Sequence, residues 1–247
     1  MNIIIFVFGL VIGSFLNVVI YRLPKNESII KPPSYCYNCN KRIKPYDLIP
    51  VISYFILGGK CRYCESEVSI RYPLIELITG IIFLLNGVIF SNYATLFTGL
   101  IFSSLLIVLA LIDIGHGILP DKITLSGCFV GMVLSILRPD ISLLYAISGI
   151  LAAGGFLFII ALVSGGGMGG GDIKMMMFVG SFTGPLIGVS SIFLGALIGL
   201  IANLPGIIKG DLGMKSSLPF GPFLALASLI LWLQGDIIWN WYLDLIL

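Results

Sequence analysis

Two groups of residues in this 247-residue chain could do chemistry where they stand. The first is a pair of acids. Asp113 closes an apolar run (LIVLALIDIGHG), and Asp172 follows a stretch in which six of seven residues are glycine (GGGMGGG). A charge inside a membrane helix costs roughly 2.5–3.5 kcal/mol at mid-span on insertion scales and is functional by default. Asp113 sits at the C-terminal end of its expected helix, the unfavourable end for an anion. Asp172 could cap the helix after it, but capping does not account for the glycines. Those let a backbone approach something closely or let helices meet closely. Two carboxylates that share a site cannot both ionise easily. One stays protonated as an acid while the other acts as base on a water, the chemistry of an aspartic protease. Possible supporting residues are Gly169, Gly171 and Lys174 beside Asp172, Asp121 after Pro120, and Glu76, the only charge in residues 74–90. Asp121 also has a plain reading, an acid in the first turn of a helix, where it meets the positive end of the dipole.

The second group is Cys36-x-x-Cys39 and Cys61-x-x-Cys64, with 21 residues between the pairs. Each pair can place two thiolates on one ion, and four complete a tetrahedral zinc site with no open position, hence a structural one. The basic flanks (Lys41, Lys60, Arg62) offset the charge of the thiolates. Disulfides are disfavoured by the cytoplasmic placement argued below, and a redox CxxC would come singly in a βαβ unit that is not visible here. With metal bound, folding of the loop would draw much of its energy from the ion. Cys128, the fifth cysteine, reads as packing.

Other chemistries lack parts. The single histidine, His116, excludes His-dyad and HExxH mechanisms and reads as solvated in the turn between Asp113 and Asp121. No GxSxG or Walker A pattern occurs.

The elements that must position these residues are apolar. The hydrophobic fraction is 58%, the charged fraction 11%, and the mean hydropathy +1.08. These figures exclude a soluble enzyme, a disordered chain and a coiled coil. The expected fold is an all-α polytopic membrane protein with about eight transmembrane helices and a cytoplasmic zinc-binding loop domain after the first. The spans fall at 3–20, 74–90, 95–112, 123–137, 143–163, two short helices within 175–208 that turn at Gly184-Pro185, and 218–234. With the N-terminus outside, the segments 21–73, 113–122, 164–174 and 209–217 are cytoplasmic. They collect 13 of the 14 Lys and Arg residues, including Lys209 and Lys215, and only Arg138 falls outside. This fits the positive-inside rule and places Asp113 and Asp172 at one membrane edge. Residues 22–71 carry nine basic and four acidic residues, a surplus drawn to anionic inner-leaflet lipids. The first run lacks a basic n-region and a cleavage site, so it reads as a retained helix rather than a signal peptide. Domains are expected at 1–21 (first helix), 22–73 (basic cysteine loop) and 74–247 (the aspartate-bearing membrane part).

Six motifs in order resemble one family. They are Gly13-Ser14-Phe15-Leu16-Asn17-Val18-Val19-Ile20-Tyr21-Arg22-Leu23-Pro24, the two CxxC pairs, Arg71-Tyr72-Pro73-Leu74-Ile75-Glu76-Leu77, Leu111-Ile112-Asp113 with Leu119-Pro120-Asp121, Gly169-Gly170-Gly171-Asp172-Ile173-Lys174, and Pro219-Phe220-Gly221-Pro222-Phe223. Together they resemble the type IV prepilin leader peptidases, bifunctional members of the GxGD membrane aspartyl proteases. The resemblance implies a bacterial inner-membrane enzyme with Asp113 and Asp172 as the catalytic pair. It implies prepilins and pseudopilins as substrates, with a basic leader ending in glycine before a hydrophobic helix. It also implies methylation of the new N-terminal amine with S-adenosylmethionine, associated with the loop 22–72. No Rossmann fingerprint marks a site for that donor, nothing suggests a nucleic-acid partner, and the oligomeric state is open. A transporter would need repeats that the halves do not show. A peptidase without methylation would more naturally lack the cysteine loop.

Overall fold

The structure, a computed structural model, describes residues 1–165, 167–209 and 219–246. Gly166, Lys215, the rest of 210–217 and the first residue of the 218–234 run lie outside the described residues. Among the described residues the chain is helical, with two isolated β-bridges and no extended strand. It divides into two compact units, Met1–Ser91 and Asn92–Leu247.

In the first unit, α1 (Asn2–Arg22) lies along α3 (Arg71–Ile89). In lipid there is little hydrophobic drive between helices, so close backbone fit must hold them. Gly9-x-x-x-Gly13 supplies it. A Cβ on Gly9 would lie 2.8 Å from the Gly80 Cα, and one on Gly13 would lie 2.7 Å from the Glu76 Cα. α3 packs on α1 within the first compact unit. The loop between carries one short helix, α2 (Ile52–Ile56). Two polar ties join it to the membrane helices. Buried Arg22 donates to the carbonyls of Ser28 and Pro32 at 3.0 and 2.8 Å, and Glu76 accepts the Val51 N–H at 2.7 Å.

In the second unit, α4 (Tyr93–His116) starts on an Asn92 cap that accepts from the N–H groups of Ala94 and Thr95. It ends at Gly117, whose left-handed backbone (φ 63°) lets its N–H reach the Asp113 carbonyl at 2.8 Å. α5 (Asp121–Ser135) follows Pro120. α6 (Leu143–Gly149) and α7 (Gly155–Val163) form one span through a π-turn at Ile150–Gly154. α8 (Gly170–Ile208) is broken at Gly184 (φ 78°). A Cβ on Gly188 would lie 3.3 Å from the Gly180 Cα. A continuous helix would place those residues about 12 Å apart along its axis. The chain therefore reverses at Gly184-Pro185, as the sequence reading expected. α9 (Gly221–Ile246) completes the unit. Its core is aromatic: Phe102 lies within 5.0–5.5 Å, ring to ring, of Phe178, Phe182 and Trp232. Each such pair contributes roughly 0.5–1.5 kcal/mol beyond its burial. Gly149 and Gly180 meet backbone to backbone, since a Cβ on either would collide with the other's carbonyl oxygen.

Five described helices are long and apolar enough to cross a membrane by length and composition. α5, at 15 residues, is about 22 Å long, short of a 30 Å hydrocarbon core. The two halves of α8 are counted among the five as one helix. Arg138, the exception in the charge pattern, has a structural post. It is buried, paired with Asp140, and donates to the Phe182 carbonyl at 2.6 Å, close to the Gly184 break where that carbonyl loses its helical partner.

Candidate functional site

Asp113 and Asp172 line one cleft of about 870 Å³ in the second unit, with Asp121, Gly169, Gly171 and Phe220 also on its walls. Asp113 reaches it from the C-terminal end of α4 and is buried. Asp172 reaches it from the first turn of α8, its N–H bonded to the Gly169 carbonyl at 3.1 Å. Three chain segments thus converge: one helix end, one helix start, and a third helix start that the sequence reading did not assign. The Gly221 N–H, at the head of α9, donates to Asp113 Oδ2 at 3.0 Å. A Cβ on Gly221 would stand 2.7 Å from that oxygen. The positive end of the α9 dipole therefore faces the carboxyl that lies at the wrong end of its own helix. The signal for this was present in the Gly221-Pro222 step opening an apolar run.

The glycines of the supporting group have distinct posts. A Cβ on Gly171 would press on the Leu119 side chain at 3.1 Å, and one on Gly169 would lie 3.3 Å from Asp172 Oδ2. Asp121 is the first residue of α5, and Lys174 Nζ bonds both its carboxylate oxygens at 2.8 and 2.7 Å. That pair ties the start of α5 to the turn of α8 that carries Asp172. Glu76 is not part of this cleft. It is buried in the first unit and lines a different cavity.

The four paired cysteines of the first unit converge as their spacing requires. Their sulfurs all lie within 4.8 Å of one another, and Cys36 Sγ to Cys64 Sγ is 3.8 Å. A tetrahedral ion with Zn–S bonds of about 2.3 Å needs sulfur separations of about 3.8 Å, so the set fits zinc. The two halves are built alike. Cys36 N–H donates to Lys41 and Asn40 N–H to Cys36, while Cys61 N–H donates to Ser66 and Glu65 N–H to Cys61. Asn40 and Glu65, each directly after a second cysteine, both take positive φ (55° and 56°). The Ser66 hydroxyl and backbone bring the Cys64 thiol down to about 6, and the Cys39 backbone lowers Cys36. These two shifts favour the thiolate that a metal binds, while desolvation and the neighbouring Cys64, Cys36 and Cys61 sulfurs push the Cys39 thiol up to about 11. Cys128 lies apart, buried on α5.

A helical membrane protein with a paired-aspartate cleft and a separate four-cysteine cluster is the class so defined. Residues 7–90 match the bacterial peptidase A24 N-terminal domain, and residues 100–204 match the type IV leader peptidase family. The chain is 36% identical to a prepilin leader peptidase/N-methyltransferase of Bacillus subtilis (strain 168), over 99% of this chain and 98% of the relative. Proteins of the same name from Neisseria gonorrhoeae (33%; 96% and 93% covered) and Pseudomonas aeruginosa (32%; 96% and 91%) are also similar. No solved structure matches. The chain belongs to the type IV leader peptidase family.

Proposed function

We propose that this chain removes the leader of type IV prepilins and related pseudopilins, cutting after a glycine at the cytoplasmic membrane face, and then methylates the new N-terminal amine. The observation that carries the peptidase half is that Asp113 and Asp172 share one cleft at the ends of apolar helices. One carboxyl, protonated, donates its proton to the scissile carbonyl oxygen. The other, ionised, takes a proton from the attacking water. The tetrahedral intermediate collapses when the C–N bond breaks and the departing amine takes back a proton. The Gly221 N–H holds Asp113 in place, and the glycines at 169 and 171 leave the cleft wall low enough for an extended peptide backbone.

The methyl donor is S-adenosylmethionine, which supplies an electrophilic methyl on a sulfonium. The amine lone pair forms the N–CH₃ bond as the S–CH₃ bond breaks, and the amine then releases a proton. Zinc held by Cys36, Cys39, Cys61 and Cys64 is structural, since four thiolates leave no open position. We assign the methyltransferase part to the loop 22–73 and the peptidase part to the membrane segment with the aspartates. We place the chain in the bacterial inner membrane with the N-terminus outside, about eight crossings, and the basic loop against anionic inner-leaflet lipids. The test is co-expression with a prepilin. Asp113→Asn and Asp172→Asn should each leave the leader in place, read as a mass shift of the pilin. Full cleavage by either variant removes that residue from the pair.

A further inference from the structure

The first unit holds a cavity of about 630 Å³ between the cysteine loop and the head of α3, within the size range of small-molecule sites. Its wall includes Tyr35, Tyr37 and Tyr72, the cysteines Cys36 and Cys61, and the buried carboxylate of Glu76. No residue of the aspartate cleft contributes to it.

Three features point to a cationic, aromatic-bearing ligand. Glu76 is a carboxylate on an apolar helix, where a charge is expensive unless it serves a site. One of its oxygens accepts the Val51 N–H at 2.7 Å, and that bond holds Val51 at φ 62°, an outlier for a β-branched residue. Such strain clusters at ligand sites. Next, Tyr35, Tyr37 and Tyr72 all line the cavity, with Tyr35 and Tyr37 5.1 Å apart ring to ring, and Tyr21, outside the lining, backs Tyr37 at 4.4 Å. Aromatic walls of this kind take cations on their faces. Last, the charged residues of the lining balance, Arg22, Lys60 and Arg62 against Asp47, Glu67 and Glu76. A zinc ion held by four thiolates adds a net double negative charge at the same wall.

Resting on the methyltransferase reading, we propose that this cavity is the methyl-donor site. The Glu76 carboxylate faces the positive charge of S-adenosylmethionine, and Tyr35, Tyr37 and Tyr72 form its aromatic wall. The cysteine pairs then act on methylation by shaping this wall, without touching the reacting atoms.

The test uses the full chain purified in lipid nanodiscs, with zinc content measured for each variant as the check on the loop fold. Binding of S-adenosylmethionine is followed by calorimetry. Glu76→Gln keeps an acceptor for the Val51 N–H and removes only the charge, so it should weaken binding about tenfold or more, given the strength of a partly buried charge pair. Tyr37→Leu should weaken it and Tyr37→Phe should keep it. Independently, donor labelled in its methyl group and irradiated on the wild-type chain should leave label in peptides that contain Tyr35 and Tyr37 or Tyr72. Unchanged binding by Glu76→Gln, or label confined to residues 113–121 or 167–174, overturns the assignment while leaving the methyltransferase reading intact. A wild-type chain that neither binds the donor nor methylates a cleaved prepilin overturns both.

Discussion

The Gly221 N–H donates to Asp113 Oδ2 at 3.0 Å, across 108 residues of chain. The bond joins the head of α9 to the end of α4, so a buried acid gains the positive end of a second helix dipole. It also explains why position 221 carries no side chain. Gly221→Ala should therefore reduce prepilin cleavage by about 10²-fold, the scale seen when a catalytic group is displaced by an ångström. Methylation of a pre-cleaved peptide should persist. Wild-type cleavage rates in Gly221→Ala would remove this contact from the mechanism.

Asp121 and Lys174 form an exposed pair, with side-chain exposures of 57% and 39%. Exposed pairs contribute little to stability, so the pair is expected to position α8 rather than to hold the fold. Asp121→Asn and Lys174→Met should each lower the cleavage rate several-fold, far less than loss of Asp113 or Asp172. The exchange Asp121→Lys with Lys174→Asp should recover part of it. Kinetics on a synthetic prepilin peptide distinguish this from a catalytic role, in which either single change abolishes turnover.

Metal and methylation should travel together and apart from cleavage. Elemental analysis should find about one zinc per chain, lost in Cys36→Ser or Cys64→Ser and kept in Cys128→Ser. Loss of metal should damage methylation more than cleavage, because it unfolds mainly the loop. Conversely, Asp113→Asn should still methylate a pre-cleaved peptide with a free N-terminal phenylalanine. Mass spectrometry of the pilin N-terminus reports both activities at once. Parallel loss of the two in every cysteine variant would show that the loop belongs to the peptidase fold.

Arg138 is buried and serves three partners: Asp140, the Phe182 carbonyl at 2.6 Å, and the Trp232 ring at 4.9 Å. Asp140 also accepts from the Thr95 hydroxyl at 3.3 Å. Asp140 is exposed, so the cost of losing Arg138 falls below the roughly 3–5 kcal/mol of breaking a fully buried pair and rests chiefly on the buried Phe182 carbonyl left without its donor. Arg138→Met should lower the thermal midpoint of the purified protein by several degrees, and Arg138→Lys should recover only part, because lysine lacks the planar fork. An unchanged midpoint would contradict a structural post for Arg138.

Much of the chemistry was legible because it is local or compositional. Apolar runs declare membrane helices, and an acid at the end of such a run is conspicuous by its cost. A CxxC pair fixes two ligands within one turn, so two pairs specify a four-thiolate site without knowledge of the path between them. The reversal at Gly184-Pro185 was also readable, since glycine and proline together end a helix whatever surrounds them. What the sequence alone could not supply is which distant segments meet. Glu76 and Asp113 are both acids at the margins of apolar helices, yet one lines the first-unit cavity and the other the aspartate cleft. The number of crossings is not legible from hydropathy alone, which sees apolar character and not helix length: Asp121–Ser135 is apolar but short. Arg138 reads as a topological exception because its partner Phe182 stands 44 residues away, and Gly221 reads as one residue of a motif because Asp113 stands 108 away. Such pairings depend on helices brought together by close-fitting glycines and interlocking aromatics, a property of the packed bundle rather than of any single run.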